Sequence, residues 1–398
     1  MPTAGLSALG EVRPVMVAYD QTALNASVAP SDSAYDGVAT LAVTTVGGQN
    51  YRGSGSLLKD SSSAYDYVLT AAHMVVDDAG RKVTSVTIKW GDGTSASTSS
   101  AADIFVHSGW NGNPLSGNDI AVVRIAQISS AAPDRYELFR DRTTSTTRLA
   151  QPEVTQVFTK AGYGLPGTGS QGYTNNASLF GTLRTGQNRY DDTYTPTSNS
   201  NWSTHTILAY DFDSGRSTND VIGRFFGIRD LGLGAKEAFS APGDSGGASF
   251  IDGKIAGVTS AIQSLFFGDV RWGANSSFGE IGYDTRVALY ADWIDSVTSN
   301  ATKPAAPTSG GTSGGGALTV GLAAGESVWL APEAERPAPA ATTTGGAAEY
   351  VLEFAATQTG NDVAPEPGGV KGSEPVALVA SGAAFATADE FFGGVELR

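Results

Sequence analysis

From residue 37 to about residue 264 the chain alternates apolar and polar positions in short bursts, each closed by Gly, Asn, Asp or Ser. "VATLAVTTV", "YRGSGSLL", "YVLT", "KVTSVTIKW", "IAVVRI", "VTQVFTKAG", "THTILAYDF", "GGASFID" and "KIAGVTSAI" carry the two-residue period or the short apolar run of a strand. Many short strands at close spacing predict an all-β sandwich or barrel. The period then changes. In "DTRVALYADWIDSV", over 284–297, Val287, Tyr290 and Ile294 fall three and four apart, with Leu289, Trp293 and Val297 widening the same face. That spacing predicts a helix with Asp284 or Thr285 as its cap.

Patterning also sets the boundaries. Residues 1–36 are weakly patterned and read as a lead-in or pro-segment, and 37–299 as the folded domain. Residues 300–316, rich in Gly, Ser, Pro and Thr, read as a flexible linker. The acidic segment 317–398 holds "ALTVGL", "SVWLA" and "EYVLEFAA" between Ala/Pro/Gly-rich pieces, and is expected to be partly ordered at most. No period of solenoid length recurs.

Composition narrows the chemistry. The 398 residues include 50 glycines and are 40% hydrophobic but only 16% charged, as in a turn-rich β protein with a real core. A formal charge of −15 argues against nucleic acid and anionic membranes as partners. No apolar run reaches membrane-spanning length, and the first residues lack the basic start and apolar core of a secretory signal. Cysteine is absent, so disulfides, thiol catalysis and thiolate metal sites are excluded.

Within "APGDSGGASF", over 241–250, Gly243, Gly246 and Gly247 surround Ser245. Such a stretch is either a tight turn or a nucleophile whose flanking N–H groups must stay open to a substrate oxygen. A serine nucleophile needs a base, and the chain has three histidines. His73 ends a strand among the small residues of "LTAAH", whereas His107 and His205 read as packing or surface residues. Asp119 stands before the apolar run of "NDIAVVRI", as a strand-start cap or a buried carboxylate orienting the base. Because all three histidines precede Ser245, the order excludes the nucleophile elbow of α/β-hydrolases. A subtilisin-like order would need Asp36, whose surroundings add no support. The order His73, Asp119, Ser245 is that of the two-barrel serine proteases.

"LTAAH", "NDIAVVRI" and "GDSGG" together resemble the three catalytic blocks of the trypsin/chymotrypsin-like serine peptidase family. "GSGSLL" at 53–58, "KAGYG" at 160–164 and "YDTRVALYADWI" at 283–294 are similar to further family segments, so the likeness spans about residues 37–299. It implies two antiparallel six-stranded β-barrels with the site in their cleft and a closing helix. It implies a secreted, bacterial-type serine endopeptidase acting on proteins or peptides, monomeric and without cofactor or metal. His73, Asp119 and Ser245 would be catalytic, and the N–H groups of Gly243 and Ser245 would form the oxyanion hole.

The same resemblance makes Asp244 the partner of a freshly cut N-terminal amine. No typical start is present, but cleavage after Gly37 in "YDGVATL" would free Val38. By position Phe239 would form the base of the specificity pocket, with Glu237 in reach, and Thr259, Ser260 and Ala261 its wall. Small or medium apolar substrate side chains are then expected. "DFDSGRSTND", over 211–220, has carboxylates at alternate positions but lacks a distal Glu, and reads as a polar hairpin turn rather than a calcium loop. The sequons at Asn25, Asn176, Asn201 and Asn275 are at chance level. The alternatives are an inactive trypsin-fold binding protein, or one whose acidic tail attaches it to a cell surface.

Overall fold

The computed structural model describes residues 16–29, 34–59, 65–128, 133–143, 145, 147–174, 180–194, 205–265 and 268–299, and the backbone of 351–352 and 378–379. The chain divides into two compact units. The expected linker at 300–316 lies outside the described residues. So does the tail at 317–398, except for an antiparallel pairing of Val351–Leu352 with Leu378–Val379 in the second unit. Among the described residues no helix is long and apolar enough to cross a membrane.

The first unit holds two curled antiparallel sheets. One runs, edge to edge, through Ser95–Thr98, Ser85–Lys89, Val38–Thr44, Asn50–Leu57, Tyr65–Thr70, Ala121–Ala126 and Ile104–Val106. The other runs through Arg184–Arg189, Val157–Gly162, Ala248–Ile251, Lys254–Ser264, Glu280–Arg286, Ile207–Asp211 and Asp192–Tyr194. Every strand expected from hydrophobic period is present. Each half-barrel has seven strands rather than six, because short strands such as "SAST" and "RTGQNR" extend the sheets with little apolar patterning. A two-sided polar strand borrows its conformation from its neighbour's backbone, so period does not show it.

Leu41, Val68, Leu69, Val86, Ile88, Val122 and Val123 fill the first barrel, and the closing segment packs Val287, Tyr290, Ile294 and Val297 on the same core. The helix itself covers Ala291–Ser299, after a single turn at Val287–Leu289. Its expected caps, Asp284 and Thr285, lie in the strand before it, paired with Leu208 and Ile207. Sheet pairing has overridden a local helical signal there.

The second barrel is filled with rings. Phe158 stacks on Tyr190 at 4.1 Å and Phe212 on Phe239 at 5.2 Å, with Tyr210 edge-on to Phe158 and Phe239. Lys160 is buried beside them, with Nζ 3.0 Å from Asp284 Oδ1, 3.0 Å from Ser249 Oγ and 2.7 Å from Thr259 Oγ1. Tyr190 and Ser249 donate to Asp284 Oδ2 at 2.7 and 2.6 Å, so neither buried charge lacks partners.

Residues 16–19 of the expected lead-in are built into this barrel, whereas Tyr35 packs on the other core. Met16–Ala18 runs parallel to Pro166–Thr168 and antiparallel to Ala238–Phe239, with Met16 and Val17 fully buried. A helix at Gln21–Ala26 follows, capped by Asp20, whose Oδ1 accepts Ala23 N–H at 2.8 Å. Arg184, fully enclosed, donates to Leu24 O and to Ser27 Oγ. A disposable lead-in would not carry core residues. Val17→Asp is therefore expected to lower the thermal midpoint sharply, while an exposed change such as Val46→Asp leaves it in place. Asp284→Ala, which strands the Lys160 ammonium, should cost about 3–5 kcal/mol in urea denaturation.

Candidate active site

His73 lies on the single helical turn Ala72–Met74 that follows the strand Tyr65–Thr70. Asp119 is the second residue ahead of the strand Ala121–Ala126, entered through Asn118 in the left-handed region at φ 61°. The Asp119 side chain is 0% exposed. Its Oδ1 accepts His73 N–H at 2.9 Å, and its Oδ2 lies 2.7 Å from His73 Nδ1. One carboxylate thus holds both backbone and ring of the histidine, a two-point grip that fixes the imidazole plane and places the proton on Nδ1. His73 Nε2, at the far side of the ring, is buried and has no hydrogen-bond partner among the described residues.

The second barrel completes the grip. Ser260 Oγ donates to Asp119 Oδ2 at 2.5 Å, and Thr285 Oγ1 donates to Asp119 O at 2.9 Å. The pairing of Lys254–Ser264 with Glu280–Arg286 slips between Thr259 and Ala261, so Ser260 is the bulged residue. A bulge re-aims a side chain, and this one turns Ser260 to the first barrel. The sequence places Ser260 in the wall of a pocket and contains no signal for this contact. Thr285 is equally unmarked.

Ser245 sits in a turn tied at both ends. Asp244 N–H donates to Ala241 O at 2.9 Å, Gly247 N–H to Asp244 O at 2.7 Å, and Gly246 N–H to Thr259 O at 2.9 Å. The first barrel holds the turn from the other side, with Ser54 N–H on Ser245 O at 2.8 Å and Ser54 Oγ on Gly243 O at 2.9 Å. A Cβ on Gly246 would collide with Thr70 Oγ1 and lie 3.0 Å from Ala71 N, so the turn abuts the segment that delivers His73. Gly243, at φ 99°, leaves no room for a side chain, which would strike the Phe180 ring. Neither Gly243 N–H nor Ser245 N–H donates to a described residue.

Asp244 is fully buried, with Oδ1 accepting Gly164 N–H at 2.7 Å and Oδ2 accepting Ala241 N–H at 2.9 Å. Burial pushes its carboxyl up to about 6, against the two N–H donors and Lys160, which pull it down. Both oxygens are engaged by backbone, so the turn is braced without a free amine. Val38 is a poor source of one. It is fully buried, its N–H donates to Tyr35 O at 3.0 Å, and Gly37 before it is held by Tyr136, Trp90 and Leu57.

The remaining pocket residues are enclosed. Phe239 has no exposed surface and pairs with Val17, while Thr259 and Ala261 are buried in the strand on either side of Ser260. Glu237 is also buried, its Oε2 accepting Leu233 N–H at 2.6 Å. His107 packs edge-on against Tyr290 and Trp293 at 5.0 and 5.2 Å.

Two facing antiparallel half-barrels, with a buried Asp–His pair from one and a glycine-rich serine turn from the other, define a trypsin-like serine peptidase fold. The family model for trypsin matches residues 42–294, and the chain belongs to that family. No curated protein matches it. Among solved structures, the HL collagenase is 20% identical, with 72% of this chain and 99% of that chain covered and a TM-score of 0.45. Neuropsin, a serine protease of mouse brain, is 18% identical, with 68% and 97% covered and a TM-score of 0.42. The scabies mite inactivated protease paralogue S-D1 is 20% identical, with 68% and 94% covered and a TM-score of 0.42.

Two outcomes follow. Gly243→Ala should remove most activity, about a hundredfold or more if one oxyanion donor is displaced, in single-substrate kinetics. Asp244, and Glu280, which burial pushes up to about 8, both have raised folded values, so the native state keeps protons that the unfolded chain has released. Thermal stability should therefore fall as pH rises from about 4 to about 8, as the proton linkage requires. A midpoint that climbs across this window contradicts the assignment.

Proposed function

We propose that the protein is a serine endopeptidase in which His73, Asp119 and Ser245 form the catalytic set. The observation that carries this reading is the grip of Asp119 on His73, which leaves Nε2 buried and without a hydrogen-bond partner among the described residues, Ser245 Oγ included. Ser245 Oγ attacks the scissile carbonyl carbon as His73 Nε2 takes its proton. The imidazolium, steadied by Asp119, returns that proton to the leaving amine, and water then hydrolyses the acyl-enzyme by the same route. The open N–H groups of Gly243 and Ser245 receive the negative charge that builds on the carbonyl oxygen.

The backbone brace on Asp244 supports a further point. The serine turn is formed in the uncut chain, with no cleavage at Gly37–Val38. On specificity, the family resemblance puts the enclosed Phe239 at the pocket base position, and an apolar residue there disfavours Lys or Arg and favours small or medium apolar side chains.

A fluorophosphonate probe tests the core of the reading. The intact chain should be labelled at Ser245, and Ser245→Ala and His73→Ala should each abolish labelling and lower kcat by about 10⁴ or more. An intact, folded chain that is not labelled identifies a binding protein on this fold. Ser260→Ala should lower kcat by about tenfold with KM unchanged, since it acts on Asp119 and not on substrate.

A further inference from the structure

The structure assigns a calcium site to the carboxylates of Asp211, Asp213 and Asp220, on the side of the second barrel that leads into the serine turn. Ligand oxygens from these three residues all lie within 4.8 Å of one another. Oxygens on opposite sides of a calcium ion, each at about 2.4 Å, stand about 4.8 Å apart, so the set fits within one coordination sphere.

A second observation comes from atoms without partners. Asp213 is 2% exposed and its Oδ1 is buried without a hydrogen bond. Glu237, from a different segment, is 1% exposed and its Oε1 is likewise unpartnered. The two side chains are neighbours: a Cβ on Gly232 would lie 2.6 Å from Asp213 Cβ and 2.8 Å from Glu237 Oε2. The nearby Arg189 is committed to Asp230. Among the described residues no lysine or arginine forms an ion pair with Asp211, Asp213, Asp220 or Glu237. Four enclosed carboxylates with no Lys or Arg in ion-pair contact, Arg229 acting on Asp220 only as a longer-range charge, are an unfavourable arrangement for a protein interior.

The donor set is all oxygen and comes from a strand end, a loop and a helix cap. Asp211 Oδ2 already accepts Ile222 N–H at 2.8 Å and Asp220 Oδ1 accepts Gly223 N–H at 2.6 Å, which orients both carboxylates. Hard oxygen donors without His or Cys favour calcium over zinc. A site made of protein carboxylates alone favours it over magnesium, which demands a near-ideal octahedron and keeps its water. The loop 211–220 thus supplies cation ligands, and the missing distal Glu of a helix–loop–helix site is replaced by Glu237 from beyond the loop. A bound ion would tie Asp211–Asp220 to the Glu237–Phe239 segment and so to the turn at Ser245.

The test is thermal unfolding of the chelator-treated full chain, with and without calcium or magnesium chloride, paired with calorimetric titration of calcium chloride. Calcium should raise the midpoint and bind with a stoichiometry of one. At a free concentration one hundred times the dissociation constant, the folding equilibrium should shift by about a hundredfold. Asp213→Asn should abolish the shift, yet melt no lower than the parent in chelator, because it relieves repulsion. If that variant does not fold, Asp220→Asn, whose amide oxygen still caps the helix, takes its place. A parent midpoint indifferent to calcium, or a variant that keeps the full shift, overturns the assignment.

Discussion

The candidate site depends on one enclosed carboxylate. Asp119 sits where the barrels meet, and its side chain is satisfied by three donors from two segments: the backbone and ring of His73 and the hydroxyl of Ser260. A carboxylate so enclosed without donors would destabilise the fold by several kcal/mol. Each donor is therefore under strong pressure to stay in place, and in staying it fixes the imidazole and the relative setting of the two barrels. Structural satisfaction and catalytic orientation are the same set of bonds.

The serine turn shows a related economy. Its glycines are required by contact and dihedral angle at Gly243 and by the approach of Thr70 at Gly246. Asp244 then braces the loop from inside with two backbone N–H groups, so its shape does not wait on a group delivered from elsewhere. Open N–H groups at Gly243 and Ser245 are the counterpart of that bracing. The turn's other backbone N–H groups, at Ala241, Asp244, Gly246 and Gly247, all donate within the protein.

Without disulfides, the second barrel relies on aromatic packing and buried polar networks. Lys160 with Asp284, and Arg286 with Glu153 and Gln151, are enclosed pairs; neighbouring hydroxyls complete the first, while Glu153 Oε2 and Arg286 Nη2 have no further partner among the described residues. The acidic group at Asp211, Asp213, Asp220 and Glu237 has no ion-paired basic partner among the described residues, and Asp213 Oδ1 and Glu237 Oε1 accept no hydrogen bond there. What marks it is the convergence of three carboxylates within 4.8 Å, which points to a cation from solution.

Much of this was legible in the chain by itself. Strands such as Val38–Thr44 and Ala121–Ala126 declare themselves because a half-buried strand must alternate or run apolar, and His73, Asp119 and Ser245 stand out by residue type, setting and order. Strands such as Ser95–Thr98 and Arg184–Arg189 did not, since their conformation is imposed by a neighbour across the sheet. The place of Met16–Ala18 in the second barrel, the aim of Ser260 and the enclosure of Glu237 were decided only by tertiary structure. Each depends on which distant backbone lies alongside, and a local pattern of apolar and polar residues carries no record of its partner.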